Sequence, residues 1–263
     1  MGINLKSLLC FVFWINFTSN LQAQVLPSSF GAYNPSRTVA NSTIVSSGLV
    51  LHLDAGNAAS YPGSGTTWTD LSGSGNNGTL VNGPTYSSAN GGSLSFDGVN
   101  DYVSVSNTSQ LRPSTELSIG MWIKANSITA TWVTLFGQNP YLQGGPLIFL
   151  ENGGSLIRAL HYRNGNEVRC NTNYSISTSQ YTYVVFTFKT GDAIRSYFNG
   201  VANTTVALSA GTFSYNTINP YLIGHTGNSW LHGNIAQVSI YNRALSAAEV
   251  LQNYNAIKVR YGL

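Results

Sequence analysis

Apolar and polar residues alternate at a two-residue period through most of the chain, which predicts strands rather than helices. Residues 48–54 (GLVLHLD) are the first clear case, with Leu49, Leu51 and Leu53 on one face and Val50, His52 and Asp54 on the other. Strand-like runs recur at 93–96, 101–105, 117–124, 131–136, 147–150, 156–163, 181–189, 193–199, 201–208, 221–224 and 234–241. Short strands punctuated by turn signals are the pattern of an all-β sandwich. Asn-Gly pairs at Asn152, Asn164 and Asn199 separate such runs in the manner of two-residue hairpins, so neighbouring strands should pair antiparallel. The strongest local hairpin joins 193–199 to 201–208 through Asn199-Gly200.

One segment has helical period. In residues 246–257 (SAAEVLQNYNAI), Ser246 and Glu249 form a capping box, and Val250, Leu251, Tyr254 and Ile257 share a stripe. The helix is expected on an edge of the sandwich, and capping accounts for Glu249 without a catalytic role.

With 263 residues, one large sandwich is long enough to bury a sizeable core. Only 8% of residues are charged, against about 25% in ordinary domains, which suits an extracellular β-protein. A net charge of +3 without a basic run leaves no nucleic-acid footprint. Residues 1–23 carry Lys6, an apolar run from Leu8 to Phe17 and a polar end, the three regions of a secretory signal peptide. That run is too short for a lasting membrane span, so a secreted or cell-surface protein is expected. Residues 24–47 read as a flexible leader or edge segment and 48–263 as the domain. Cys10 falls in the signal run, which leaves Cys170 alone, most simply as a small buried side chain. Asn41, Asn77, Asn107, Asn173 and Asn203 lie in Asn-x-Ser/Thr contexts.

Oxygen-bearing side chains concentrate between Trp68 and Val105 (WTDLSGSGNNGTLVNGPTYSSANGGSLSFDGVNDYVSV). Asp70, Ser72, Ser74 and Gly75 fall at the first, third, fifth and sixth positions of an EF-hand loop, but Val81 occupies the place of its bidentate Glu. An EF-hand is therefore excluded. Asp70 and Asp97 fit two readings, calcium ligands or turn caps bonded to backbone N–H groups. Asp54, which ends the first strand, carries the same choice.

Three blocks, WTDLSGSGNNGTL, SFDGVNDYVSV and GNIAQVSIYNRALSAAEVLQNYNA, resemble the concanavalin A-like lectin/glucanase superfamily, specifically its laminin-G-like jelly-roll domains. The resemblance covers residue 48 to the C-terminus. It implies a two-sheet antiparallel jelly-roll sandwich with one short C-terminal helix, whose first and last strands lie side by side. It also implies a module that binds a glycan or glycoprotein surface, often with a structural calcium ion. One departure bears on the ion: where relatives carry Ile-Asp-Glu in the last strand, this chain has Ile235, Ala236 and Gln237.

A hydrolase of this resemblance would present two carboxylates about 5 to 9 Å apart, normally from Glu-x-Asp-x-x-Glu. That spacing is absent, Glu116, Glu151 and Glu167 are isolated, and Asp97 and Asp101 lie around a turn. No Gly-x-Ser-x-Gly or His-Glu-x-x-His occurs, and His225 and His232 make only a weak metal pair. Sugar recognition needs an aromatic platform with nearby amides or carboxylates. Candidates are Gln138, Asn139, Tyr141 and Gln143 in one loop, Tyr162 with Asn164, and Tyr215 with Asn216. Trp68, Trp122 and Trp132 read as core or sheet-face residues and Trp230 as undecided. The leading expectation is a secreted, non-enzymatic lectin-like module. A structural or adhesive surface or virion protein is the second reading, and a glycoside hydrolase with an unrecognised acid pair the third.

Overall fold

The computed structural model describes residues 43–126, 132–138, 144–151, 153, 156–163, 166–227 and 229–263. In chain order the strands are β1 (Leu49–Asp54), β2 (Thr67–Trp68), β3 (Gly78–Val81), β4 (Thr85–Ser87), β5 (Ser93–Asp97), β6 (Tyr102–Val105), β7 (Glu116–Ala125), β8 (Trp132–Gln138) and β9 (Leu147–Glu151). They continue as β10 (Leu156–Arg163), β11 (Asn166–Asn171), β12 (Thr182–Lys189), β13 (Asp192–Phe198), β14 (Val201–Leu208), β15 (Tyr221–Ile223), β16 (His225–Thr226), β17 (Ser229–Trp230) and β18 (His232–Tyr241). Helix α1 (Ala247–Ile257) and a 3-10 turn, Lys258–Tyr261, close the chain.

Two antiparallel sheets result, a jelly-roll sandwich. The first runs β14-β13-β12-β7-β18-β5-β4, with β1 also on β18, and the second β11-β10-β9-β8-β15-β6-β3-β2. The ten-residue β18 uses one edge for β7 and divides the other: β5 pairs with His232–Ile235 and β1 with Gln237–Tyr241. First and last strands are thus neighbours, as the resemblance implies, in a register that sets Leu49 against Tyr241 and Asp54 against Gln237.

Alternation decides what each face buries. In β12, Val184, Phe186 and Phe188 enter the core between the sheets, while Tyr183 and Val185 face outward. An outward apolar face needs a cover, and α1 supplies it. The helix therefore lies on the outer face of the first sheet, not on the expected edge, because Trp122, Tyr183 and Ala236 form an apolar floor there. Trp122 stacks on Tyr183 at 5.1 Å and on Tyr254 of the helix at 5.6 Å, pairs worth about 0.5–1.5 kcal/mol each beyond burial. The stripe also differs from the expected one: Leu251 is 44% exposed, and Asn253, 2% exposed, takes the inner position. Its Oδ1 accepts the Val45 N–H at 2.7 Å, and its amide donates to the Tyr241 hydroxyl, which donates to the Val45 carbonyl. Residues 43–47, assigned by sequence to the leader, are irregular in backbone yet packed through Val45. The capping box at Ser246 and Glu249 forms as expected.

Asn199 (φ 51°) and Gly200 (φ 80°) make the β13–β14 turn. Positive φ at both positions is what a two-residue hairpin of this hand needs. Asn152 and Asn164 lie outside the described residues.

His161 sits in the core with Phe213 stacked on it at 4.2 Å and with Phe188 and Tyr215 edge-on. Its Nδ1 is 2.8 Å from the Tyr162 carbonyl, so the neutral ring carries its proton there and Nε2 has no partner. Burial pushes its pKa down to about 3.

Candidate functional site

The oxygen-rich stretch is first of all a fastening. Asp70 follows β2, and its Oδ1 accepts the N–H groups of His52 and Ser72, each at 2.8 Å. Its Oδ2 accepts the Ser72 hydroxyl at 2.8 Å and the Asn76 N–H at 2.9 Å. Asn76 then donates to the Val50 carbonyl, so the loop ties β1 of one sheet to the margin of the other. At Asp97, Oδ1 accepts the N–H groups of Val99 and Asn100, which hold its carboxyl below the ordinary range. The Asp97 N–H in turn donates to Asp101, whose carboxyl is raised by burial. On β18, Ala236 is buried in the apolar floor and the Gln237 amide meets His52 Nε2 at 2.9 Å. Both oxygens of Asp70 are engaged by the protein's own donors, the turn-cap arrangement that is one of the two readings of this residue. No three His, Cys, Asp or Glu side chains converge among the described residues. Asp54 is likewise occupied, in a two-point ion pair with Arg260 at 2.7 and 2.9 Å.

Of the sugar-binding candidates, Gln138, Tyr162, Tyr215 and Asn216 lie at one end of the second sheet, where β8 and β10 finish and the chain approaches β15. Most of their polar groups make internal bonds, Gln138 Oε1 being buried without one. Gln138 Nε2 donates to the carbonyls of Asn216 and Asn219, and Asn216 Oδ1 accepts the N–H groups of Ile218 and Asn219. The Tyr215 hydroxyl donates to the Pro113 carbonyl at 2.7 Å while its ring packs on His161. Tyr162 is buried with Leu147, Phe149 and Leu160, its hydroxyl 3.3 Å from Glu167. Asn139, Tyr141, Gln143 and Asn164 lie outside the described residues.

At the opposite end, a different set converges. β5, β7, β9 and β15 finish there, and β6, β8, β10 and β18 begin there. The β16–β17 hairpin folds over β8, tied by a 2.6 Å hydroxyl contact between Thr226 and Thr134. His225 and Trp230 of the hairpin stack at 3.5 Å, 5° from parallel, with the Tyr102 ring 5.5 Å from His225. Across β8, Trp132 stacks on Phe149 at 4.8 Å and is 42% exposed, on the face turned away from the core. Opposite Trp132 in the register stands Glu151, and opposite Phe149 stands Arg158. Glu151 and Arg158 form an ion pair on that same face. An indole plate held rigid by a second ring, beside a carboxylate and a guanidinium, is the kit a pyranose or furanose needs: apolar C–H groups on the ring, hydroxyls on the charged pair. Sequence reasoning put Trp132 on a sheet face or in the core. Its parity was the available signal, because it alternates with the core residues Val133 and Leu135 and keeps step with Thr134.

A family model of the concanavalin A-like lectin/glucanases superfamily matches residues 97–251. The chain belongs to this superfamily. No curated protein matches it at a significant level, but solved structures do. The binding domain of Paraclostridial Mosquitocidal Protein 1 superposes with a TM-score of 0.64 at 18% identity, over 80% of this chain and 52% of that one. Domain 4 of AbnA, a GH43 extracellular arabinanase from Geobacillus stearothermophilus, solved with arabinotriose, gives 0.62 at 18%, over 78% of this chain and 98% of that one. The botulinum neurotoxin serotype D ligand binding domain, in complex with N-acetylneuraminic acid, gives 0.64 at 13%, over 80% and 51%. The chain thus spans about half the length of the two toxin structures and nearly all of the arabinanase domain.

A superfamily that includes both lectins and glucanases makes the carboxylate geometry informative. Glu151 pairs with Leu156 and Glu167 with Tyr162, six residues further along β10. At about 3.3 Å per residue the two acids are separated by roughly 20 Å along the strand. A glycosidase pair lies within about 5 to 9.5 Å. Glu116 belongs to the other sheet, bound to Lys189 at 2.8 Å and to the Ala244 N–H.

Proposed function

We propose that the chain is a secreted, non-enzymatic lectin-like module that binds carbohydrate at the Trp132 end of its second sheet. One observation carries the reading: a large indole stands exposed on the outer face, braced by Phe149, with the Glu151–Arg158 pair beside it. Burial of apolar area would favour turning that ring inward, whereas here part of it faces solvent, where a sugar ring could stack on it. Support comes from the superfamily, from similar domains solved with arabinotriose and with N-acetylneuraminic acid, and from the separation of Glu151 and Glu167. The partner under this reading is a glycan, free or on a glycoprotein surface, and the signal-like residues 1–23 deliver the module outside the cell.

The test is a glycan array on the purified chain, followed by calorimetry on the best oligosaccharide with Trp132→Ala. Loss of one stacking platform should weaken binding ~5- to 30-fold, from about 1–2 kcal/mol of lost contact. The thermal midpoint should hold, since Trp132 is not part of the inter-sheet core. Undiminished sugar binding by this variant would move the site elsewhere.

A second reading, attachment through protein contacts, is favoured by β14. This edge strand carries no charged residue over Val201–Leu208, and Val201 is exposed, the kind of edge to which another strand adds. Concentration-dependent association in sedimentation would support it.

A further inference from the structure

We propose that the Trp132 site takes neutral glycans and discriminates against sugars bearing a carboxylate; this rests on the lectin reading above. Recognition of a sugar carboxylate draws on an available guanidinium, because the planar fork matches a carboxylate in a two-point contact. At this end of the sandwich the guanidinium of Arg158 already faces one. Glu151 holds its Nε, and both side chains are largely shielded, at 19% and 12% exposure, so the pair is fixed and its net charge is zero. An acidic sugar stacked on Trp132 would set its carboxylate beside that of Glu151, and any bond it took from Arg158 would draw on a cation whose charge Glu151 already balances.

The remaining charges add to the effect. Strand ends bring Asp97 and Asp101 to the same end of the molecule. Backbone N–H groups favour the ionised form of Asp97, and Asp97 is exposed. Lys124, near the end of β7, is turned the other way, over the Tyr181 ring at 5.7 Å in the apolar cluster beneath α1. Among the described Asp, Glu, Lys and Arg side chains at this end, Arg158 is thus already paired with Glu151, and Asp97 and Asp101 at the β5–β6 turn leave the end net acidic. A neutral sugar meets none of this repulsion, and its hydroxyls both donate to Glu151 and accept from Arg158.

The experiment measures affinities of the full chain for matched probes: neutral arabino-, xylo- and gluco-oligosaccharides, lactose with its sialylated form, and xylo-oligosaccharides with and without glucuronic acid. The expected result is preference for the neutral members, with each acidic form about 5-fold weaker than its neutral parent, a factor that one like charge, Glu151, at about 4 Å supplies at low salt. Glu151→Gln, which releases the charge of Arg158 while keeping an acceptor, should abolish most of that difference. Thermal melting establishes that the variant is folded, and the wild-type ratio stands as a test by itself. Tighter binding of the acidic member of any pair overturns the proposal and leaves the lectin reading in place. So does a ratio unmoved in folded Glu151→Gln. Absence of binding to every probe overturns the lectin reading and this inference with it.

Discussion

His161 should make this domain lose stability on mild acidification, before its ordinary carboxylates titrate. The buried ring is neutral in the folded protein, with a pKa pushed down to about 3 by burial, whereas an unfolded histidine titrates near 6.5. A depressed histidine binds its proton in the unfolded chain first, so its contribution is intact above the unfolded value and falls as pH drops toward the folded one. Over the whole interval, at about 1.36 kcal/mol per pH unit, that amounts to about 5 kcal/mol. Between about pH 7 and pH 5 the share is about 2 kcal/mol. His161→Phe isolates it. The ring site is aromatic on three sides, and the Tyr162 carbonyl that loses Nδ1 still accepts the Ser214 N–H at 2.9 Å. Urea unfolding of both proteins at the two pH values supplies the comparison. Wild type should lose about 2 kcal/mol more than the variant, and the variant should be no less stable at neutral pH, since the unpartnered Nε2 is gone. His52, also lowered by burial, contributes to both proteins and cancels. Equal losses would refute the reasoning, because they would mean that His161 charges as readily folded as unfolded.

Three further outcomes follow from contacts already described. Arg260→Leu should destabilise by about 2–4 kcal/mol in chemical denaturation, since it strands the Asp54 carboxylate, 3% exposed, without its cation. Gly200→Ala should cost about 1–2 kcal/mol in thermal melting, because φ is +80° and a Cβ would stand 2.9 Å from Leu251 Cδ1. Asp70→Ala should cost about 2–4 kcal/mol by releasing the His52, Ser72 and Asn76 donors, and the wild-type melting temperature should be the same in calcium and in chelator.

The strands were legible because alternation is a local property: the runs at 156–163 and 201–208 coincide with β10 and β14, and the run at 48–54 exceeds β1 by one residue. β2 and β4, two and three residues long, are too short to show a period, and β11 (NEVRCN), though six residues long, has no clean alternation to mark it. The placement of α1 required knowing that Trp122, Tyr183 and Tyr241 share one outer face, and that follows from register across strands distant in sequence. The proposed platform at Trp132 was hidden for a related reason. Loops rich in tyrosine and amides attract attention by composition, yet the Gln138 Nε2, the Tyr215 hydroxyl and the Asn216 Oδ1 bond their own backbone surroundings. Trp132 differs from a core tryptophan only in which side of β8 it occupies, a distinction of one residue in parity.

The seam between β1 and β18 also has a mechanical meaning. Leu49 at the start of one strand lies against Tyr241 at the end of the other, so tension between residue 43 and residue 263 would open their ladder from that end, one hydrogen bond after another, rather than shear it all at once. What stands first in the path of such a force is the Val45–Asn253–Tyr241 knot, followed by the Asp54–Arg260 clasp. A tethered module built this way yields in steps, with its resistance concentrated in a few polar contacts outside the main core.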